Sequence, residues 1–281
     1  MPRRASRFSS AWLISALVVG ACAGPVERFD RRAAELGLMR EDVWGEGFDH
    51  AVFHRPEDPR TGVLHVYLGS DGTPWQRGRW PAADPTPRAP LALELMTLDP
   101  APALYLGRPC YHGLARAPRC GAPLWTDRRY GEEVVASMTA ALRRLAPDRP
   151  LVLIGYSGGG TLAMLVASRL PTVVAVITVA ANLDINAWAD HHGYRPLVGS
   201  SNPADQTQLD PAILQIHLAG AEDERVPPEL VRPALAKLGA PLCVLPDHDH
   251  SRGWRRTWPA VLSTLEGGSA AGVGIPACQP E

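Results

Sequence analysis

The stretch Leu151-Val152-Leu153-Ile154-Gly155-Tyr156-Ser157-Gly158-Gly159-Gly160-Thr161-Leu162-Ala163-Met164-Leu165-Val166-Ala167 carries the strongest structural signal in the chain. Its first four residues are apolar without alternation, as in a strand buried on both faces, and its last seven suit an apolar helix. The Gly-x-Ser-x-Gly between them reads as a nucleophile elbow. In such a turn the backbone at the serine is strained, and glycines two before and two after let strand and helix approach. The Ser157 hydroxyl is thereby pushed into the open. The competing reading is a glycine-rich strand-to-helix turn that binds an anion or merely connects two elements. Neither G-x-x-x-x-G-K-[ST] nor G-x-G-x-x-G is present to support phosphate binding.

Strand and helix signals alternate on both sides of this segment. Upstream, His50–His54 and Val63–Leu68 read as opposed strands near a sheet edge, and Trp75–Pro90 as a surface loop. Leu91–Leu98 reads as a short helix and Ala103–Leu106 as a buried strand, and helical spacing within Arg128–Leu145 predicts another helix. Downstream, the β-branched run Thr172–Val179 belongs inside a parallel sheet. Ile213–Leu218 and Pro241–Leu245 are further strands, separated by a Pro228–Leu238 helix and closed by a Trp254–Leu265 helix. The fold class is therefore α/β, with a mostly parallel central sheet and helices on both faces. The expected organisation is a tether over 23–49, one domain over 50–266 and a tail over 267–281, with 182–210 as a cap or pocket loop.

A serine hydroxyl needs a base, and the base needs an orienting group. After the strand Ile213–Leu218 comes Glu222-Asp223-Glu224-Arg225-Val226-Pro227, and after Pro241–Leu245 comes Asp247-His248-Asp249-His250-Ser251. With Ser157 these give the order serine, acid, histidine, each beyond a strand. The ordinary alternative for the three acids is a solvated turn. Either His248 or His250 can serve as base, with His250 preferred. Gly158 N–H, directly after the nucleophile, is one donor to a forming oxyanion, and the turn Gly69-Ser70-Asp71-Gly72 offers Asp71 N–H, or that of Ser70, as the second. An ordinary Asp-Gly turn is the other reading of that loop.

On these motifs, roughly residues 50–266 resemble the α/β-hydrolase superfamily. The resemblance implies Ser157, Asp223 and His250 as catalytic residues, Asp223 being matched by its position four residues before the proline of the Val226-Pro227 pair. The blocks Leu64–Trp75, Leu106–Tyr111, Trp125–Val135 and Ala181–Asp184 together resemble a group of exported bacterial hydrolase-like lipoproteins. The ordered serine, acid and histidine, rather than this resemblance, point to an ester-like acyl bond as the target. A thioesterase, peptidase or acyltransferase would use the same three residues, and a non-catalytic envelope protein would keep the scaffold as a binding surface. Trp75, Trp188, Trp254 and Trp258 either line an apolar pocket or, the commoner use, pack the core.

Composition narrows the partners. With 281 residues, 46% hydrophobic and 20% charged, and a net charge of -1, the composition indicates neither a basic nucleic-acid surface nor a disordered acidic tail. No signature of a metal or organic cofactor is found, which leaves an acyl substrate and a membrane as partners. Arg3, Arg4 and Arg7 precede an apolar stretch Ala11–Val19 too short to span a bilayer, so residues 1–22 read as an export signal. Its end resembles a lipobox, with Cys22 as the lipid attachment point; a plain cut after Ala23 competes. The expected location is the periplasm or outer membrane of a bacterium. Removing Cys22 leaves four cysteines, for which the favoured pairing is Cys110 with Cys120 and Cys243 with Cys278.

Overall fold

The computed structural model describes residues 23–57, 61–206 and 209–266. Chain order runs α1 (Pro25–Glu35), β1 (Met39–Trp44), β2 (Asp49–His54), β3 (Leu64–Leu68), then a two-strand hairpin of β4 (Trp75–Gln76) and β5 (Trp80–Pro81). It continues through α2 (Leu91–Thr97), β6 (Ala103–Leu106), α3 (Glu132–Leu145), β7 (Leu151–Tyr156), α4 (Gly158–Ala167) and β8 (Val173–Val179). Last come α5 (Ile185–His191), α6 (Pro203–Gln206), β9 (Leu214–Gly220), α7 (Pro228–Leu238), β10 (Leu242–Leu245) and α8 (Trp254–Glu266).

Eight strands form one sheet in the order β1-β2-β6-β3-β7-β8-β9-β10, and only β2 runs against the others. This is the predicted α/β sheet. The alternation of side chains along each strand splits the interior into two layers. Leu151 and Leu153 of β7 point into a layer shared with α3, α4 and α7, whereas Val152 and Ile154 point into one shared with α1, α2 and α8. Strands coated on both faces must be apolar throughout, which is why β7 shows no polar alternation. Trp254 and Trp258 are fully buried in the second layer, so they pack the core rather than line a pocket. Burial of a large apolar side chain contributes roughly 1.5–3 kcal/mol.

Three expectations are corrected. The segment 23–49 is not a tether: α1 buries Phe29 against Phe53, Tyr105 and His112, and β1 pairs along its whole length with β2. β1, Met-Arg-Glu-Asp-Val-Trp, escapes hydrophobic reading because it is an edge strand whose charges keep other chains from pairing with it. Secondly, β2 and β3 are opposed but not neighbours, because β6 inserts between them. Thirdly, the 75–90 loop contains the β4–β5 hairpin, turned by Arg77 and Gly78, both at positive φ. The insertion 182–210 is partly helical; the Asp184 carboxylate caps α5 by accepting from the N–H groups of Asn186 and Ala187.

Candidate active site

β7 runs straight into Ser157, which takes φ 55° and ψ -127°, a strained conformation for a residue with a side chain. Two observations account for its persistence. The Ser157 N–H donates to Val179 O at 2.8 Å, tying the turn to β8. A side chain at Gly155 would sit 2.3 Å from Gly159 O, and one at Gly159 would sit 2.2 Å from Leu68 O, so the strand, the turn and the first coil of α4 meet only because both are glycine.

The acid and histidine loops leave adjacent parallel strands, β9 and β10, and are stitched together. Ala221 N–H donates to Leu245 O and Glu222 N–H to His248 O, both at 2.9 Å. Of the acidic trio, Glu222 and Glu224 are exposed and Asp223 is buried. Asp223 Oδ1 accepts from the N–H groups of Arg225 (2.8 Å) and Val226 (2.9 Å), leaving Oδ2 for His250 Nδ1 at 2.9 Å. Beside a carboxylate, Nδ1 carries the proton, which makes Nε2 the acceptor for the Ser157 hydroxyl 3.1 Å away.

His248 does not reach this chain of bonds. Its Nδ1–H donates to Pro246 O at 2.7 Å, its Nε2 accepts from the Thr257 hydroxyl at 2.9 Å, and its ring packs against Trp254. Asp249 closes a turn, accepting from the N–H groups of Ser251 and Arg252.

The loop after β3 lies against the start of α4. Asp71 is held at three atoms: Tyr130 OH donates to both carboxylate oxygens (2.8 and 2.7 Å), Arg129 Nη1 to Oδ2 (3.0 Å), and Tyr111 OH to the backbone carbonyl (2.9 Å). Arg108 Nη2 forms an ion pair with Oδ1 at 2.7 Å, and its guanidinium stacks over the rings of Tyr111 and Tyr130. Burial by itself would raise the Asp71 carboxyl; Arg108, Arg129 and Tyr130 outweigh it and hold it below the usual range. The Asp71 N–H has no partner among the described residues. Gly158 N–H, the first amide of α4, has none inside the helix.

Four of the residues around Asp71, namely Arg108, Tyr111, Arg129 and Tyr130, are not singled out by sequence reasoning. They come from two separate stretches with no shared periodicity. Trp188, expected in a pocket or the core, and His192, not singled out by sequence reasoning, instead brace the acid loop: Trp188 Nε1–H (2.8 Å) and His192 Nε2 (2.9 Å) both meet Arg225 O. Beside His250 and Asp223 opens a polar cleft of ≈ 860 Å³ whose walls include Glu222, Glu224, Arg225 and Glu229. The disulfide Cys110–Cys120 is present, as expected. Cys243 is buried in β10, and its expected partner Cys278, like Cys22, lies outside the described residues.

This sheet, with an elbow after β7 and acid and histidine loops after β9 and β10, is the α/β-hydrolase fold. Comparison with known proteins agrees. A family model described as "Thioesterase domain" matches residues 129–196, which include Ser157 but neither Asp223 nor His250. No curated protein sequence matches the chain. Among solved structures, an esterase/lipase from an uncultured bacterium superposes with TM-score 0.53 at 16% identity, covering 90% of this chain and 93% of the other. A proline iminopeptidase-related protein from Thermus thermophilus gives 0.55 at 16% identity, covering 85% and 99%. Puromycin hydrolase gives 0.54 at 18% identity, covering 82% of this chain but only 39% of that longer protein. At such identities the likeness is one of fold.

Proposed function

We propose that the chain is an exported serine hydrolase that cleaves an ester-like acyl bond. The observation that carries this reading is the unbroken run of contacts from Asp223 Oδ2 through both His250 nitrogens to Ser157 Oγ, at 2.9 and 3.1 Å. His250 takes the hydroxyl proton as Ser157 Oγ attacks the carbonyl carbon, and Asp223 stabilises the imidazolium that forms. The tetrahedral oxyanion is met by the amides of Gly158 and Asp71. Collapse expels the alcohol, protonated by His250; water, deprotonated by the same nitrogen, then releases the acid and restores Ser157.

Thioester cleavage is the second reading, favoured by the family match over 129–196. Export rests on the signal-like residues 1–22, with Cys22 as the lipid attachment point and the envelope as the location.

The experiment is fluorophosphonate labelling and turnover of matched p-nitrophenyl esters and acyl thioesters by the purified chain and by Ser157→Ala. Labelling and turnover should vanish in the variant, and the ratio of the two substrates ranks the readings. Undiminished labelling of Ser157→Ala removes Ser157 from the mechanism. Detergent-phase partitioning of full-length protein, lost in Cys22→Ser, tests the anchor.

A further inference from the structure

A carboxylate is an unexpected neighbour for an oxyanion site. A side chain added at Gly158 would sit 2.0 Å from Asp71 Oδ1, so the charged group rests on the residue that follows the nucleophile. Left alone, it would repel the negative charge that develops on the substrate oxygen. It is not left alone: two guanidiniums, Arg108 (4% exposed) and Arg129 (4% exposed), surround one carboxylate, so the buried group as a whole is positive. The loop is also immobilised, since both carboxylate oxygens and the carbonyl of Asp71 are bonded while its N–H is unpartnered among the described residues.

We infer that Arg108, Arg129 and Tyr130 are positioning residues for this chemistry: they clamp Asp71 so that its N–H joins that of Gly158 as an oxyanion pair, and their excess positive charge turns a repulsive neighbour into a favourable one. The inference rests on the serine mechanism proposed above. Tyr130 is central, because one hydroxyl contacts both carboxylate oxygens. It sits where the chain enters α3 and is itself fixed by Ser200, whose Oγ accepts from the Tyr130 N–H at 3.2 Å. Arg129 is fixed in turn by its Nε donating to Thr126 O at 2.7 Å. Preorganised donors of this kind act on the transition state rather than on substrate binding.

Tyr130→Phe removes the hydroxyl while keeping the buried ring, and Arg129→Gln removes one charge while keeping a donor. Each is measured for kcat and KM on a p-nitrophenyl ester, for thermal midpoint, and for the affinity of phenylboronic acid, whose tetrahedral serine adduct places an oxygen at the oxyanion position. The expected result is a kcat lower by about 10- to 100-fold with KM within about twofold, and boronate binding weakened in parallel, in chains that remain folded. Parallel loss in kcat and boronate affinity is a pattern that mere destabilisation does not produce. Tyr130→Phe is the milder change and decides the case if Arg129→Gln does not fold. If turnover depends on Ser157 yet Tyr130→Phe keeps kcat and boronate affinity within twofold, the positioning role is overturned. If turnover survives Ser157→Ala, the serine mechanism itself fails and this role falls with it.

Discussion

Gly158→Ala is the sharpest test of how the nucleophile turn and the Asp71 loop fit together. The backbone at Gly158 is ordinary helical start, absent from the positive-φ positions, so alanine suffers no dihedral penalty and the effect is purely one of space. The new methyl would lie 2.0 Å from Asp71 Oδ1 and 2.5 Å from Tyr130 OH. Restoring an ordinary contact requires the carboxylate to retreat by roughly 1.4 Å and the hydroxyl by about 1 Å, since carbon and oxygen do not approach much below ~3.4 Å. Bonds that now measure 2.7–2.8 Å cannot both survive such a shift. Hydrogen bonds to a charged group contribute roughly 1.5–3 kcal/mol, so losing one or both should destabilise the fold by about 3 kcal/mol, or about 6–12 °C in thermal midpoint. Catalysis should suffer further: displacing one oxyanion donor costs on the order of 10²–10³ in kcat. Calorimetry and ester kinetics on the purified variant read both effects. A midpoint within 2 °C of the parent together with kcat within about threefold would refute the packing described here.

The remaining predictions concern the histidines and the disulfide. His250→Ala should reduce ester turnover by at least about 10³-fold with the fold intact, whereas His248→Ala should keep turnover per folded molecule but lose stability through its bonds to Pro246 and Thr257; the reverse pattern would exchange their roles. Burial holds His50 and His217 down to about 4 and His112 to about 3, each kept neutral in the fold. Above pH ~6.5 these rings are neutral folded or unfolded and cost nothing. As pH falls towards 4 the unfolded chain takes up protons that the folded chain refuses, so stability drops, by about 3 kcal/mol for each of His50 and His217 at the bottom of that window. Urea midpoints measured from pH 7 to 4 check this, and a flat profile would contradict it. The Cys110–Cys120 link closes a short loop beside Tyr111, and replacing both cysteines by serine should lower stability by about 2–3 kcal/mol in the same assay.

Much of this architecture was legible from composition along the chain. β7 and β8 are apolar because both their faces are covered, and glycine spacing around Ser157 reports how closely strand and helix approach. β8 was legible only in outline, since Val174 at its start is 42% exposed. Serine, acid and histidine could be ordered because each follows a strand. Within Glu222-Asp223-Glu224 the family resemblance singled out Asp223, and His250 was preferred over His248; the physical reasons for both, burial and hydrogen bonds to Arg225, Val226, Pro246 and Thr257, are not displayed by linear order. β1 was hidden because a charged edge strand has no hydrophobic pattern. The clamp on Asp71 was hidden for another reason: Arg108, Tyr111, Arg129 and Tyr130 gain meaning only when two remote loops converge on one carboxylate.

The position of α1 bears on how the molecule would sit if Cys22 carries the proposed lipid. The helix begins at Pro25 and is packed through Phe29 against the sheet, so only Ala23 and Gly24 separate the acylated residue from rigid structure. Two extended residues reach roughly 7 Å. With Cys22 acylated as proposed, a leash of that length would hold the body close to the bilayer surface with little freedom to turn.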